Sequence, residues 1–409
     1  MTIRKILQYK IVISKLIAAT FRFILKKNYI DNLWVIGGYG GNEIAIFRYL
    51  QDKHPEIKVY LITNDKVLYK STKTILKRGS TKAYICTQLA QVVMCTHSLS
   101  HNFDLTAKEL KHSLKVQMFH GMIGLNLYPN MFYKEKPALE SMGDYDLIIA
   151  SSEQEKTIKS SWGIDPDKIV ITGLPRHDML LRKQQEYEQS NTYPINILYM
   201  PTWRPWLKLR IRENIRNRIF SYKNIEFESY LGAIKELLIH PKLVDLIKQG
   251  MINVNLFLHI NMQIYYRNVR EALSKENIST LPQGINLQDE IVKHDLLITD
   301  YSSVSWEFLL LGKPVIFYQF DLHEYISRVD SLYIDMQSSL FGPKIYSTND
   351  TVNAIENLIM DRRVNYKIDT ISNNIKRQFF AYNDEYNSER VVDNILRKLK
   401  RFTKSFLIN

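Results

Sequence analysis

Two α/β domains, each a parallel sheet covered by helices, are the fold this sequence predicts. Three observations predict it. The chain has 409 residues, too many for one ordinary core. Apolar strand-like runs alternate with helical stretches from about Leu33, and the alternation restarts at Ile195, the pattern of helix-covered parallel sheets. Between the two, residues 184–194 are polar, rich in Gln, Glu and Asn, and end in Pro194, as a linker would. Hydrophobic residues make up 45% and charged residues 24%, a balance that excludes whole-chain disorder, collagen and coiled coil.

In chain order, residues 3–27 read as a helix. Arg4, Gln8, Lys15, Arg22 and Lys26 recur along one side, and Ile6, Ile13, Leu16, Ile17, Phe21 and Ile24 occupy much of the rest. Such a helix either lies on a membrane surface or packs on a core with its lysines solvated. Leu33–Ile36 is a strand, the glycines at 37, 38, 40 and 41 make a turn, and Asn42 caps a helix that His54-Pro55 stops near Lys53. Lys58–Thr63, Lys115–Phe119, Asp146–Ala150 and Lys168–Thr172 are further strands, and Ser152-Glu153-Gln154-Glu155 is a capping box opening a helix. The second series runs Ile195–Met200, helix to about 249, Asn253–His259, helix to about 275, and Asp295–Thr299. It ends with a helix from Ser303 to Leu311 stopped by Gly312, the strand Val315–Tyr318, and helices over about 350–405. Two similar halves facing a cleft are the architecture this draws.

The formal net charge is +13, which points to an anionic partner such as nucleic acid, anionic lipid or a phosphate-rich substrate. No nucleic-acid-binding module is recognisable, so nucleic acid is not expected. Part of the excess is local: Arg4, Lys5, Lys10, Lys15, Arg22, Lys26 and Lys27 precede the first acid, Asp31. Lys15 and Arg22 interrupt the one candidate apolar span, and no cleavage site of small residues follows. A peripheral protein at the cytoplasmic face of the membrane is therefore expected. Two cysteines, Cys86 and Cys95, make neither a disulfide framework nor a four-ligand zinc site. His97 and His101 have helical spacing but no Glu between them, and the acidic pairs Asp144–Asp146 and Asp165–Asp167 sit at a strand entrance and a turn. No metal and no cofactor is expected.

The chemistry-bearing segment is "DLLITDYSSVSWEFLLLGKPVIFY", residues 295–318. A buried strand ends at Thr299, and Asp300-Tyr301-Ser302-Ser303 leads into a helix. That loop lies at the carboxyl end of a strand, where doubly wound sheets bind ligands. Amides and serine hydroxyls there suit a phosphate, and Glu307 one turn on suits a ribose hydroxyl. A plain helix cap is the competing reading. Arg176 and Arg204 follow strands on turns, where a guanidinium pairs with a diphosphate or with a nearby Asp. Arg204 is read toward ligand and Arg176 toward structure and domain closure. Residues 204–218 hold six basic side chains, either a solvated helix face or a track for an anionic polymer or lipid.

The segment "TDYSSVSWEFLLLGKPVIFYQFDLHEY" resembles the signature of the CDP-glycerol glycerophosphotransferase family, the teichoic acid polymerases and primases. In the same order, "YGGNEIAIFRYL", His120-Gly121, "TGLPRHD", "ILYMPTWR" and "NDEYNSERVVDNI" resemble further motifs of that family, over about residues 34–395. The resemblance implies two Rossmann-like domains of GT-B type. Residues 1–30 would be an amphipathic membrane-surface helix, 31–185 an acceptor-side domain, 195–375 a nucleotide-binding domain and 376–409 terminal helices. It also implies transfer of an alditol phosphate from a CDP-alditol to a hydroxyl of a lipid-linked polymer acceptor. A glycosyltransferase using a sugar nucleotide is the alternative on the same scaffold.

Carried onto this chain, the family's two important histidines fall on His120 and His259. His120 would be the general base, since imidazole titrates near neutral pH. His259 would donate to phosphate or be a satisfied core histidine. Gly121, Arg176, Thr202, Arg204, Asp300, Ser302, Ser303 and Glu307 would bind substrate and nucleotide. The chain departs from the family pattern after His120-Gly121, where Met122-Ile123 replaces the usual Thr, and after His259, where Ile260 stands for Pro.

Overall fold

In the computed structural model, runs of residues buried on both sides form the strands of two parallel sheets. The structure describes residues 3–38, 40–65, 68–70, 72–122, 142–187, 194–204, 206–207, 225–258, 262, 273, 278–282, 284–329, 340–362 and 369–406. These divide into two compact units. One is built from the chain up to Arg182 and from Gln378 onward, the other from Lys183–Arg377.

The first unit begins with α1 (Ile3–Leu25). Strand β1 (Ile30–Gly37) carries Leu33, Trp34, Val35 and Ile36, all buried in succession. Such an unbroken buried run belongs inside a parallel sheet with both faces covered. There follow α2 (Gly41–Lys53), β2 (Lys58–Thr63), β3 (Ile75–Lys77), α3 (Thr81–Leu89), β4 (Ala90–Cys95), α4 (Leu99–Phe103) and β5 (Leu114–Gln117). Then come β6 (Leu147–Ala150), α5 (Glu153–Ser161), β7 (Ile169–Ile171) and α6 (Pro175–Glu186), which runs into the second unit. The seven strands lie in the order β3-β2-β1-β4-β5-β6-β7. Ser152 caps α5 by accepting from the Glu155 amide at 3.1 Å, as the capping box requires.

The second unit has six strands in the order β10-β9-β8-β11-β12-β13. Its elements are β8 (Ile195–Tyr199), α7 (Ile225–Leu238), α8 (Pro241–Lys248), β9 (Ile252–Leu256), β10 (Ser279–Thr280), α9 (Leu287–Lys293) and β11 (Leu296–Thr299). After these come α10 (Ser305–Leu310), β12 (Val315–Tyr318), α11 (Leu322–Val329), β13 (Lys344–Ile345), α12 (Thr348–Arg362) and α13 (Thr370–Phe379). Gly312 stops α10 with a φ of 74°, the left-handed conformation glycine adopts without strain.

The last helix, α14 (Asn387–Phe406), belongs to the first unit. Its start is held by Asp178, whose two carboxylate oxygens accept from the Asn387 and Ser388 amides at 2.9 and 2.7 Å. A side chain on Gly173, which has φ 73°, would collide with Asn387. Two of the sequence motifs, "TGLPRHD" and "NDEYNSER", are thus one structural joint.

Helix α1 packs on α3 through a small-residue face. Ser14 and Ala18 are fully buried, and Gln88 donates to the Ser14 hydroxyl at 2.7 Å. Three of its basic residues reach the protein: Lys10 contacts the Gly79 carbonyl, Lys15 pairs with Glu109, and Arg22 donates to the Gln88 carbonyl. Tyr9, Val12, Leu16 and Phe23 face outward and are exposed. Among the described residues, no helix is long and apolar enough to cross a membrane.

Candidate functional site

His120 follows β5 on a turn that several side chains fix. Phe119 has φ 54°, a left-handed conformation uncommon outside glycine. It is held there because its amide donates to Gln117 Oε1 at 3.0 Å and its carbonyl accepts from Asn42 Nδ2 at 2.8 Å. The His120 carbonyl accepts from Arg176 Nη1 at 2.9 Å, and Asn42 Oδ1 accepts from the Arg176 amide at 3.0 Å. Asn42 is buried and does not cap α2, as the sequence suggested; it ties the His120 turn to the start of α6. Beneath the turn, the buried Lys159 lies 4.1 Å from the Phe119 ring centroid and donates to the Ile149 carbonyl. Arg176 therefore fastens the histidine turn, the structural side of its expected role, and Gly121 is buried next to the histidine.

The His120 ring stacks on His97 with centroids 5.1 Å apart, and His97 stacks on His101 at 4.8 Å. Burial and the neighbouring His120 and His101 rings push the His97 pKa down to about 4. His120 is exposed at the surface, while desolvation by the surrounding protein and then the Arg176 charge lower its pKa below the ordinary value. At neutral pH it is an unprotonated imidazole, the state a general base needs.

Behind His97, Thr96 donates its hydroxyl to the buried Glu43. Burial pushes the Glu43 carboxyl up to about 7, against the opposing pull of the Thr96 hydrogen bond and Arg176. The folded protein therefore binds a proton that the unfolded chain has released, so stability is lost as pH rises from 4.5 towards 7. A shift of this size is worth about 3 kcal/mol. Glu43→Gln should flatten this dependence, leaving stability similar near pH 5 and raising it relative to wild type near pH 8. Urea unfolding at both pH values checks it, and parallel pH dependences in the two proteins would refute it.

In the second unit, the ends of β8, β11 and β12 converge on Arg204. The guanidinium reaches Asp321 through Nε and Nη2, both at 2.7 Å, Asp300 at 2.9 Å and the Thr202 carbonyl at 2.6 Å. The rings of Tyr230, Tyr301, Phe320 and Tyr325 surround it at 5.1–5.5 Å. Burial alone would lower its pKa; Asp300 and Asp321 outweigh that and raise it. Arg204 is 1% exposed and claimed by two carboxylates, and it also contributes to the wall of a concavity in the second unit. Besides Arg204, Asp300 accepts from the Thr202 and Tyr301 amides at 2.8 and 2.6 Å. Asp321 was missed; its one signal was an acid just past the buried run Val315–Tyr318.

Ser303 is exposed and Ser302 half-buried. The Ser302 hydroxyl accepts from the Val304 amide at 3.3 Å, and the Ser302 carbonyl accepts from Ser305. Among the described residues, the backbone amides of Ser302 and Ser303 donate to nothing. The Thr202 hydroxyl is buried without a hydrogen-bond partner among them, and Glu307 is 2% exposed. A concavity of about 590 Å³ beside Arg204 is lined by Trp206, Tyr230, Phe320, His323, Glu324 and Tyr346, among others. His259 and the basic positions from Lys208 to Arg218 lie outside the described residues. One acid of each pair is engaged in the fold: Asp146 pairs with Lys115, and Asp165 accepts from the Asp167 amide. Among the described residues, no cluster of three or more metal-ligating side chains exists.

Residues 35–397 match the family model of CDP-glycerol:poly(glycerophosphate) glycerophosphotransferase. The chain is 23% identical over 423 residues to a teichoic acid poly(glycerol phosphate) polymerase of Bacillus spizizenii, covering 96% of this chain and 98% of that one. It is also 23% identical over 372 residues to the minor teichoic acid biosynthesis protein GgaB of Bacillus subtilis, covering 87% of this chain but only 38% of the relative. In fold it is similar to the wall teichoic acid polymerase TagF, with a TM-score of 0.71, 17% identity, and coverage of 95% of this chain and 98% of that one. With the family model spanning nearly the whole of both α/β units, the chain belongs to the CDP-glycerol:poly(glycerophosphate) glycerophosphotransferase family of enzymes.

Proposed function

We propose that this enzyme transfers an alditol phosphate, glycerol phosphate foremost, from a CDP-alditol to a hydroxyl of a membrane-linked wall or capsular polymer, releasing CMP. The acceptor oxygen forms a bond to the alditol-bearing phosphorus, and the bond from that phosphorus to the bridging diphosphate oxygen breaks. CMP leaves with that oxygen, and the acceptor proton passes to His120. In such a reaction catalysis is chiefly positioning and charge stabilisation. The observation that carries the reading is the loop after β11, whose Ser302 and Ser303 amides donate to nothing among the described residues. They and the serine hydroxyls would hold the diphosphate, Glu307 the ribose, Thr202 and Gly121 the remaining polar edges, and His259 a phosphate oxygen. Arg176 would close the site on the His120 side. Lipid-linked substrate sets the enzyme on the cytoplasmic membrane face, held peripherally by α1, whose exposed Tyr9, Val12, Leu16 and Phe23 support that placement.

The test is to offer CDP-glycerol, CDP-ribitol and UDP-linked sugars with a polymer acceptor, in EDTA. CMP release with a new phosphodiester, undiminished by chelation, is expected, because helix-end amides and arginines can hold the diphosphate charge. UDP release with a new glycosidic bond would overturn the reaction class. Loss of CMP release in EDTA, restored by Mg²⁺, would overturn the metal-free mechanism.

A further inference from the structure

Beside α1, the first unit contains a second basic concavity, of about 540 Å³. It is walled by Lys15 and Arg22 of α1, by Gln88 of α3, and by Lys108, Lys111 and His112 of the segment before β5. Four cations face a single carboxylate there, Glu109, which Lys15 already engages at 2.5 Å. Arg22 is half-buried and donates only to backbone carbonyls, those of Asn28 at 2.8 Å and Gln88 at 2.5 Å. Among the described residues, Lys108 and Lys111 have no ion-pair or hydrogen-bond partner. A half-buried guanidinium with two unpaired ammonium groups at the mouth of one hollow is a receptor for a phosphate oxygen anion.

We propose that this concavity binds the phosphate headgroup of an anionic phospholipid. Two features select lipid over a free polyanion. The packing face of α1 is its small-residue side, so the apolar Tyr9, Val12, Leu16 and Phe23 face away from the protein. The basic pair Lys15 and Arg22, seven residues apart on one side of the helix, lies between that outward stripe and the hollow. An apolar stripe in the acyl boundary would set the neighbouring hollow at headgroup height. The inference rests on the membrane-surface placement proposed above and adds to it a defined headgroup site.

The full chain is co-sedimented with vesicles of phosphatidylcholine alone and of phosphatidylcholine with an equal part of phosphatidylglycerol. Wild type should favour the anionic vesicles. Diffuse attraction adds about 1 kcal/mol per basic residue near such a surface, roughly fivefold in affinity, so Lys26→Gln with Lys27→Gln, outside the hollow, should weaken binding about thirtyfold at most. Lys108→Gln with Lys111→Gln removes the same charge from the hollow and should weaken it several-fold more. Equal losses in the two pairs would reduce the effect to diffuse charge and overturn the site. Equal binding of soluble poly(glycerol phosphate), lost in the Lys108 and Lys111 variant, would make it a polymer track and also overturn it. No preference of wild type for anionic vesicles would instead sink the membrane placement itself. CMP release with a soluble acceptor should be unchanged in the Lys108 and Lys111 variant, which keeps the fate of this site separate from that of the transfer reaction.

Discussion

His120→Ala is expected to lower CMP release from CDP-glycerol by about two or more orders of magnitude, the scale of a lost general base. Donor binding should be nearly intact, because the variant keeps the backbone bonds that hold the turn. The Asn42 and Arg176 links use the Phe119 and His120 carbonyls, not the imidazole. The pH profile gives a second reading. A base works when unprotonated, so activity falls as pH drops through the pKa of His120. That pKa is lowered by the surrounding protein and Arg176, which moves the acid limb below the ordinary histidine value; in the alanine variant the limb should vanish. A folded variant with wild-type turnover, or one that keeps the acid limb, would remove His120 from the base role.

The second large effect is on stability. Arg204→Ala leaves Asp300 and Asp321 with no cation, in surroundings where the arginine itself is 1% exposed. Breaking a buried pair from one side costs about 3–5 kcal/mol, a large part of the roughly 5–15 kcal/mol that holds a domain together. Arg204→Lys keeps the charge but lacks the planar fork that serves Asp321 through two nitrogens, and should fall in between. Urea midpoints of the three proteins decide this. An alanine variant within about 1 kcal/mol of wild type would mean that the cluster does not hold the three strand ends. If the alanine variant does not fold, the lysine variant's midpoint still carries the test.

Much of this was legible because local signals agreed with the fold. Lys58–Thr63 and Val315–Tyr318 were read to the residue, since each is a short apolar run bounded by turn formers. Strand β4 was not read. Ala90 follows Leu89 of α3 with no turn residue between, and a continuous apolar run fits helix or strand equally well. Strands β3, β10 and β13 have two or three residues each, too few to show a period. At the candidate site, the motifs mark turns after β5, β8 and β11, and the partners of their side chains come from far along the chain. The partner of Arg204 is 117 residues away, and no local pattern reveals that a guanidinium will be claimed from the inside. Asn42 was misread for the same reason: an asparagine at a helix start normally caps it, and here Phe119, 77 residues on, competes successfully for the amide.

The clasp of Asp178 on the start of α14 bears on how the chain is made. Chains emerge from the ribosome amino end first, at about 5–20 residues per second, and domains generally fold as units. The second unit, Lys183–Arg377, is whole before the final helix has been translated. The first unit must wait, because α14 and its joint to Asp178 and Gly173 come last. The part of the protein synthesised first is thus completed last, and a premature stop before Asn387 would strand the nascent amino-terminal half without its closing helix while sparing the half that follows it.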